Sequence, residues 1–289
     1  MEMIDVKQLA IFIATLNKEE AHNVGYCGDE ANEIENTLYH EFSDYPIERS
    51  FTVLYEGEVI VGALGFDVDE EDKSAEVWGP FIQGENWLDT AKELWETGLA
   101  KLESTVHSFY GFYNVKHTYA ESFMTYVQGV KKGAHSILKM EAKQFREHKP
   151  ESIEKMSPYY HEQFMQLHDK AFPGTYYNGK AILERSDDEH QLFCYVKDNS
   201  LLGYIYIEGK RKFREGNVEY IAVAPHARQK GIGKDLLNYG LYELFHHIGA
   251  EEILLCVGCE NNEAIQLYKK VGFSVESELN YYITNIKKE

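Results

Sequence analysis

Val218–Leu237 reads VEYIAVAPHARQKGIGKDLL. Val218, Tyr220, Ile221 and Val223 are strand formers, and Pro225, which has no N–H to give to a ladder, ends the strand. Arg228, Lys230 and Lys234 follow, with no acid among them before Asp235. Gly231 and Gly233 let a ligand come close to the main chain and permit positive φ. Leu237, Leu241, Leu244 and Ile248 then mark one stripe of a helix expected over Gly233–Ile248 and closed by Gly249. The free N–H groups at the start of that helix face the same loop. Strand, basic glycine loop and helix together make a cradle for phosphate oxygens. A solvated turn of basic residues is the plain alternative.

Two common phosphate loops do not fit. A Walker A loop requires Gly five residues before its Gly-Lys pair and Ser or Thr after it, where this chain has Arg228 and Asp235. A dinucleotide fingerprint requires a third Gly where Leu236 stands. Arg228-Gln229-Lys230-Gly231-Ile232-Gly233 instead resembles the (Q/R)xxGx(G/A) pyrophosphate loop of the GCN5-related N-acetyltransferases (GNAT). A second stretch, Glu260–Phe273 (ENNEAIQLYKKVGF), matches that family's NxxAIxLYxxxGF signature at each position.

The resemblance covers about 152–289 and implies a fold, a cofactor and a chemistry. The fold is α/β, a mixed sheet with flanking helices. The donor is acetyl-CoA, and an acetyl group goes to an amine. By the same resemblance the main chain of Ile221, Ala222 and Val223 pairs with the pantetheine arm. The Arg228–Gly233 amides, with Lys234 beside them, hold the pyrophosphate. Asn261 hydrogen-bonds the cofactor arm, and Tyr268 protonates the departing thiolate.

Elementary chemistry asks for the same parts. A free alkylamine has a pKa of about 10, so a base must take its proton before it attacks a thioester. Glu219, the acid on the central strand, is the candidate base, and strand parity places it on the face of Ile221 and Val223 unless a bulge intervenes. Strand amides can stabilise the oxyanion. Each residue has a plainer use: Asn261 as a helix N-cap, Tyr268 as a packed ring, Glu219 as an acid at a strand end. Acetyltransferases of ribosomal-protein N-termini resemble this chain at Ala171-Phe172-Pro173 but carry a catalytic Glu where Cys256 stands here. Neither a ribosomal-protein acceptor nor a base on that strand is expected.

The loop Phe172–Gly179 joins two helices before the first long strand of this half. By resemblance, those helices wall the acceptor cleft. Tyr176 and Tyr177 are the candidate acceptor contacts, since each offers an apolar ring and a polar tip. Capping the core is their alternative use.

The first half repeats the order of the second. Helices are expected over Asp5–Leu16, Asp29–Phe42, Trp87–Val106 and Tyr119–Val127, and strands over Phe51–Tyr55, Val59–Phe66, Ala75–Ile82, Phe109–Asn114 and Ala134–Met140. Glu76-Val77-Trp78 answers Glu219-Tyr220-Ile221. The expected organisation is two tandem copies of one unit, 1–145 and 151–289, joined by the charged stretch Lys143–Ser152. At the loop position the first copy offers Gln83-Gly84-Glu85 and Asp89, with no Lys or Arg between Trp78 and Ala91. That half is expected to hold no cofactor.

Composition narrows the class. The chain has 289 residues, 44% hydrophobic, with a net charge of −19. Such a charge disfavours nucleic acid and anionic membrane surfaces as partners. The apolar run Leu9–Leu16 is too short to span a bilayer, no leader pattern opens the chain, and the reading is cytoplasmic. Cys256 and Cys259 have no second pair, so no metal site is expected.

The expected activity is acetyl transfer from acetyl-CoA to a primary amine of a small molecule or peptide. A non-catalytic acyl-CoA-binding or regulatory module and an aminoacyl transferase of related paired-domain fold are the alternatives. Acceptor identity and oligomeric state stay open.

Overall fold

The computed structural model describes residues 4–102 and 106–286. Its contacts divide the chain into two compact units, Met1–His135 with Glu278–Glu289, and Ser136–Ser277.

The first unit carries α1 (Val6–Asn17), α2 (Ala31–His40), α3 (Ile47–Ser50), β1 (Phe51–Glu56), β2 (Val59–Asp69), β3 (Ser74–Ile82), α4 (Trp87–Lys101), β4 (Ser108–Asn114) and α5 (Ala120–Tyr126), and the start of β5 (Val130–Glu141). The second carries the end of β5, then β6 (Ile153–Lys155), α6 (His161–Ala171), α7 (Gly179–Glu184), β7 (His190–Lys197), β8 (Ser200–Lys210), β9 (Glu215–Val223), α8 (Ile232–Tyr242), β10 (Glu252–Gly258) and α9 (Asn262–Val271). The last strand, β11, spans Ser274–Asn285.

The division differs from the expected 1–145 and 151–289. Leu279–Asn285 of β11 pairs antiparallel with β4, so the last strand completes the sheet of the first unit. Ladder hydrogen bonds, not nearness in sequence, decide where a strand belongs. The stretch expected as a linker begins in a short 3₁₀ turn, Ala142–Gln144, which Glu141 and Gln144 close as a capping box. The helix expected over Trp87–Val106 ends at Lys101, and the 103–105 part of that expectation lies outside the described residues. The helix expected to reach Ile248 is α-helical to Tyr242 and finishes in a π-helical turn, Glu243–Ile248, which Gly249 ends at φ 84°.

Both units are mixed α/β and share one pairing pattern. In the first, β1/β2 and β2/β3 are antiparallel and β3/β4 is parallel. In the second, β7/β8 and β8/β9 are antiparallel and β9/β10 is parallel. The middle of β8 shows why this sheet takes helices on both faces. Tyr204, Ile205, Tyr206 and Ile207 are all fully buried, a continuous run rather than an alternation. Ile205 and Ile207 pack with Leu236, Leu237 and Leu241 of α8, while Tyr204 and Tyr206 pack with Phe164 of α6. Gly240 lets α8 sit close to the sheet, since a Cβ there would lie 2.6 Å from Ile205 Cδ1.

The first unit buries acids at a cost. Asp67 on β2 stands opposite Glu76 on β3, and Glu76 Oε1 is buried with no hydrogen-bond partner. Burial, with Asp67 adding to it, pushes the Glu76 carboxyl up to about 8, and burial pushes Asp67 up to about 6. Below the ordinary glutamate value both folded and unfolded chains are protonated at Glu76. As pH rises toward 8 the unfolded chain ionises first, so stability is lost across that window. Glu76→Gln is therefore expected to raise the unfolding free energy at pH 9 by a few kcal/mol at most, read as a higher urea midpoint, and to leave the midpoint unchanged at pH 4. Equal midpoints at pH 9 would show that Glu76 is solvated.

Candidate active site

The site in the second unit starts with two strands that part. β9 and β10 pair in parallel from Glu215 with Glu252 to Val218 with Leu255. Beyond that point Glu219–Val223 and Cys256–Gly258 run on without pairing to one another. On its other side β9 stays paired with β8, as far as Val223 opposite Gly203. The opening between β9 and β10 therefore exposes one main-chain edge of β9 while the other holds the strand in place. Ile221 and Val223 pack toward the α8 core and Ala222 toward the α6 core.

Glu219 sits at the fork. Tyr206 pairs with Tyr220 and Ile207 with Val218, which leaves Glu219 as the extra residue of a β-bulge. A bulge re-aims side chains. Simple parity would have put Glu219 with Ile221 and Val223; the bulge brings it among Glu208, Lys210 and Arg185 instead. Desolvation is the main reason its carboxyl is held up to about 7, with the charge of Glu208 adding to it.

After β9 comes the basic loop. Pro225–Ala227 makes a 3₁₀ turn and Gly231 caps α8. Gln229 and Gly231 both adopt left-handed backbone, at φ 60° and 86°. Among the described residues, the N–H groups of Gln229, Lys230, Gly231, Ile232 and Gly233 donate to no main-chain carbonyl; the next two, Lys234 and Asp235, donate to Gly231. Consecutive free amides in such a turn form an anion-binding nest, reinforced by the start of α8. Two of the cations also brace the loop. Arg228 Nε donates to the Val223 carbonyl at 3.2 Å and Lys230 Nζ to the His226 carbonyl at 3.1 Å. The donor set fits a pyrophosphate, with acceptor oxygens against amides and lysines.

Tyr268 on α9 is buried, its ring 6.1 Å from Phe273, and burial pushes its hydroxyl up to about 12. It stays protonated through neutral pH. Cys256, exposed on the free part of β10, is close enough to contribute to that shift. Asn261 caps α9, with Oδ1 accepting from Ala264 N at 3.2 Å. The cap uses its oxygen and leaves the amide NH₂ for other work.

The loop Phe172–Gly179, expected to wall an acceptor cleft, is anchored by buried side chains. His168 is fully buried, and its Nε2–H donates to the Tyr177 carbonyl at 2.8 Å, so its Nδ1 accepts from the Tyr204 hydroxyl at 2.6 Å. Burial lowers the pKa of His168, in keeping with this neutral tautomer. The Tyr220 hydroxyl accepts from Tyr177 N and bonds Thr175 Oγ1 at 2.9 Å. Tyr177 is half-buried under the Arg185 guanidinium, 4.3 Å from its ring centre. Tyr176 is 68% exposed and packs edge-on against Tyr177.

Arg185, Glu208, Tyr206 and His168 were not among the sequence candidates. One signal was available: Tyr204, Tyr206 and Glu208 alternate on one strand, which puts an acid beside two aromatic rings on one face. Among the described residues no group of three His, Cys, Asp or Glu side chains is placed to hold a metal ion, and no helix is long and apolar enough to cross a membrane.

Residues 154–273 match the model of the acetyltransferase (GNAT) family. An N-alpha-acetyltransferase from Saccharolobus solfataricus is 35% identical over 100 residues, covering 31% of this chain. The chain spans only 60% of the length of that relative. Among solved structures, a GCN5-related N-acetyltransferase from Sphaerobacter thermophilus superposes with a TM-score of 0.76 at 14% identity, covering 98% of this chain and 93% of that one. A tandem GNAT protein from the clavulanic acid biosynthesis pathway gives 0.66 at 13% identity, covering 98% and 95%. At these identities the structural likeness concerns the fold.

Proposed function

From the premise that residues 154–273 are an acetyltransferase domain of the GNAT family, we propose that this protein transfers an acetyl group from acetyl-CoA to a primary amine of a small molecule or peptide. The observation that carries the proposal is the free-amide loop Gln229–Gly233 directly after the parted edge of β9, in the same unit as Glu219 and Tyr268.

Acetyl-CoA, when bound, supplies an acetyl group already activated as a thioester. The loop amides, with Lys230 and Lys234, would hold its pyrophosphate. The free edge of Ile221–Val223 would pair with its amide-bearing arm, and Asn261 would add a hydrogen bond. Glu219, held near 7, gives and takes a proton close to neutral pH, which suits it to relieve an incoming ammonium of its proton. Amides on the free edge of β9 donate to oxygen where negative charge develops. Tyr268 keeps a proton on its hydroxyl for the sulfur that leaves. An ammonium that ends as an amide gives up two protons: Glu219 would take one, the other would replace the proton that Tyr268 gives to sulfur, and one proton in all is released per turnover.

The two units are read as tandem copies of one fold. Their common pairing pattern supports this, as does the likeness to a tandem GNAT protein. In the first copy the loop position carries Glu85 and Asp89 and no cation, so it is assigned no cofactor.

Tyr177 and Tyr176 are proposed to contact the acceptor. Tyr177→Ala is expected to raise KM for the amine roughly tenfold, the scale of one lost aromatic contact, and to leave KM for acetyl-CoA unchanged. Tyr176→Ala is expected to do less, since its ring is mostly solvated. Steady-state kinetics with each substrate varied would show it, and an unmoved amine KM in both variants would place the acceptor wall elsewhere. The activity itself is tested by free-CoA release across amines, amino acids, polyamines and peptides. Release with an acceptor supports the reading. Tight CoA binding without release for any amine favours the non-catalytic module.

A further inference from the structure

Glu219 does not stand alone at the fork. The bulge delivers it to the face that carries Tyr206 and, two residues on, Glu208. Glu208 is held firmly. Its Oε1 accepts from the Tyr206 hydroxyl at 2.7 Å and lies 3.5 Å from Arg185 Nη2. Its Oε2 lies 4.0 Å from His190 Nε2 on β7, and its side chain is only 17% exposed. Arg185 is itself fixed, stacked on Tyr177. The groups around Glu219 are then Glu208 and Lys210 from β8, Arg185 from the C-cap of α7, Tyr177 from the acceptor loop and Tyr220 from its own strand.

A carboxylate beside another carboxyl opposes the second ionisation, and a cation favours it. Mobile surface charges average out in solvent, but Glu208 and Arg185 are held by hydrogen bonding and stacking at fixed places beside Glu219. We infer that Glu208, clamped by Tyr206 and Arg185, is a positioning residue for Glu219: its fixed negative charge sets the pH at which Glu219 becomes a base. Arg185 is the counterweight, both anchoring Glu208 and drawing the Glu219 proton off. The catalytic part of this inference rests on the reading of Glu219 as the proton acceptor.

The test needs no acceptor. Side-chain carboxyls of the ¹³C-labelled full chain are titrated by NMR, with Glu219→Gln used to assign the resonance. In Glu208→Gln the Glu219 midpoint is expected to fall by about half a unit or more. In Glu208→Asp, which keeps the charge, it should stay near wild type. In Arg185→Met it should rise. An unmoved or raised midpoint in folded Glu208→Gln overturns the inference. Should that variant not fold, Arg185→Met decides alone, a rise supporting the balance and a fall or no movement overturning it. Once an acceptor is known, the acid limb of kcat/KM should follow each midpoint. A Glu219→Gln enzyme of full activity would remove Glu219 as base while the titration still judged Glu208.

Discussion

Tyr268→Phe is expected to lower kcat for acetyl transfer by about 10²–10⁴, the usual value of one positioned proton donor, while CoA affinity holds. Only the hydroxyl is removed. The ring is 7% exposed and lies against Phe273, so the packing of α9 survives the change. Burial raises the hydroxyl to about 12, which makes it a donor at every pH where the protein is handled. The loss should therefore be the same at pH 6 and pH 9, unlike a loss at Glu219, which would reshape the acid limb. Single-turnover kinetics with saturating acetyl-CoA would measure it. A kcat within twofold of wild type would leave Tyr268 as a packed core ring and assign the leaving-group proton to another donor.

Gly231→Asp and Gly233→Asp are expected to weaken CoA binding by two or more orders of magnitude in a protein that stays folded. A negative charge about 4 Å from a phosphate costs about 4 kcal/mol at an effective dielectric of 20, close to a thousandfold in affinity. The two sites separate this effect from strain. Gly231 sits at φ 86°, so an Asp there carries backbone strain although nothing lies within 4 Å of an added Cβ. Gly233 has ordinary φ, and its Cβ would meet Leu267 Cδ2 at 3.5 Å and Val223 Cγ2 at 3.7 Å, normal contacts. An Asp at Gly233 would also favour the start of α8 through the helix dipole. Loss of binding with an unchanged melting temperature assigns the loop to phosphate. Retained affinity in both variants would reduce it to a solvated turn.

Much of the site was legible because its parts are local in sequence. The loop announces itself through glycines and cations within a few residues, and its left-handed turns fall at Gln229 and Gly231. Asn261 and Tyr268 lie in one contiguous motif, and the Asn261 cap follows from residue type alone. What the sequence hid depends on pairing across distance. The bulge at Glu219 exists only in the register between β8 and β9, so parity along β9 pointed to the wrong face. Arg185 and Glu208 meet from the end cap of a helix and a strand, and nothing local links them. The last strand joins the first unit through its ladder with β4, which no composition shift marks. Tyr176 and Tyr177 are neighbours in sequence but differ in burial, because His168 and Tyr220 anchor the Tyr177 main chain.

The central claim is that one phosphate-binding loop, in the second unit, receives the cofactor. The first unit offers Gln83-Gly84-Glu85 and Asp89 at the matching place, a stretch that would repel phosphate. Calorimetric titration of the full chain with acetyl-CoA tests this directly, with Gly231→Asp titrated beside it. The account predicts one equivalent bound per chain and no heat of binding in the variant. Two comparable sites, or one site untouched by Gly231→Asp, would contradict it.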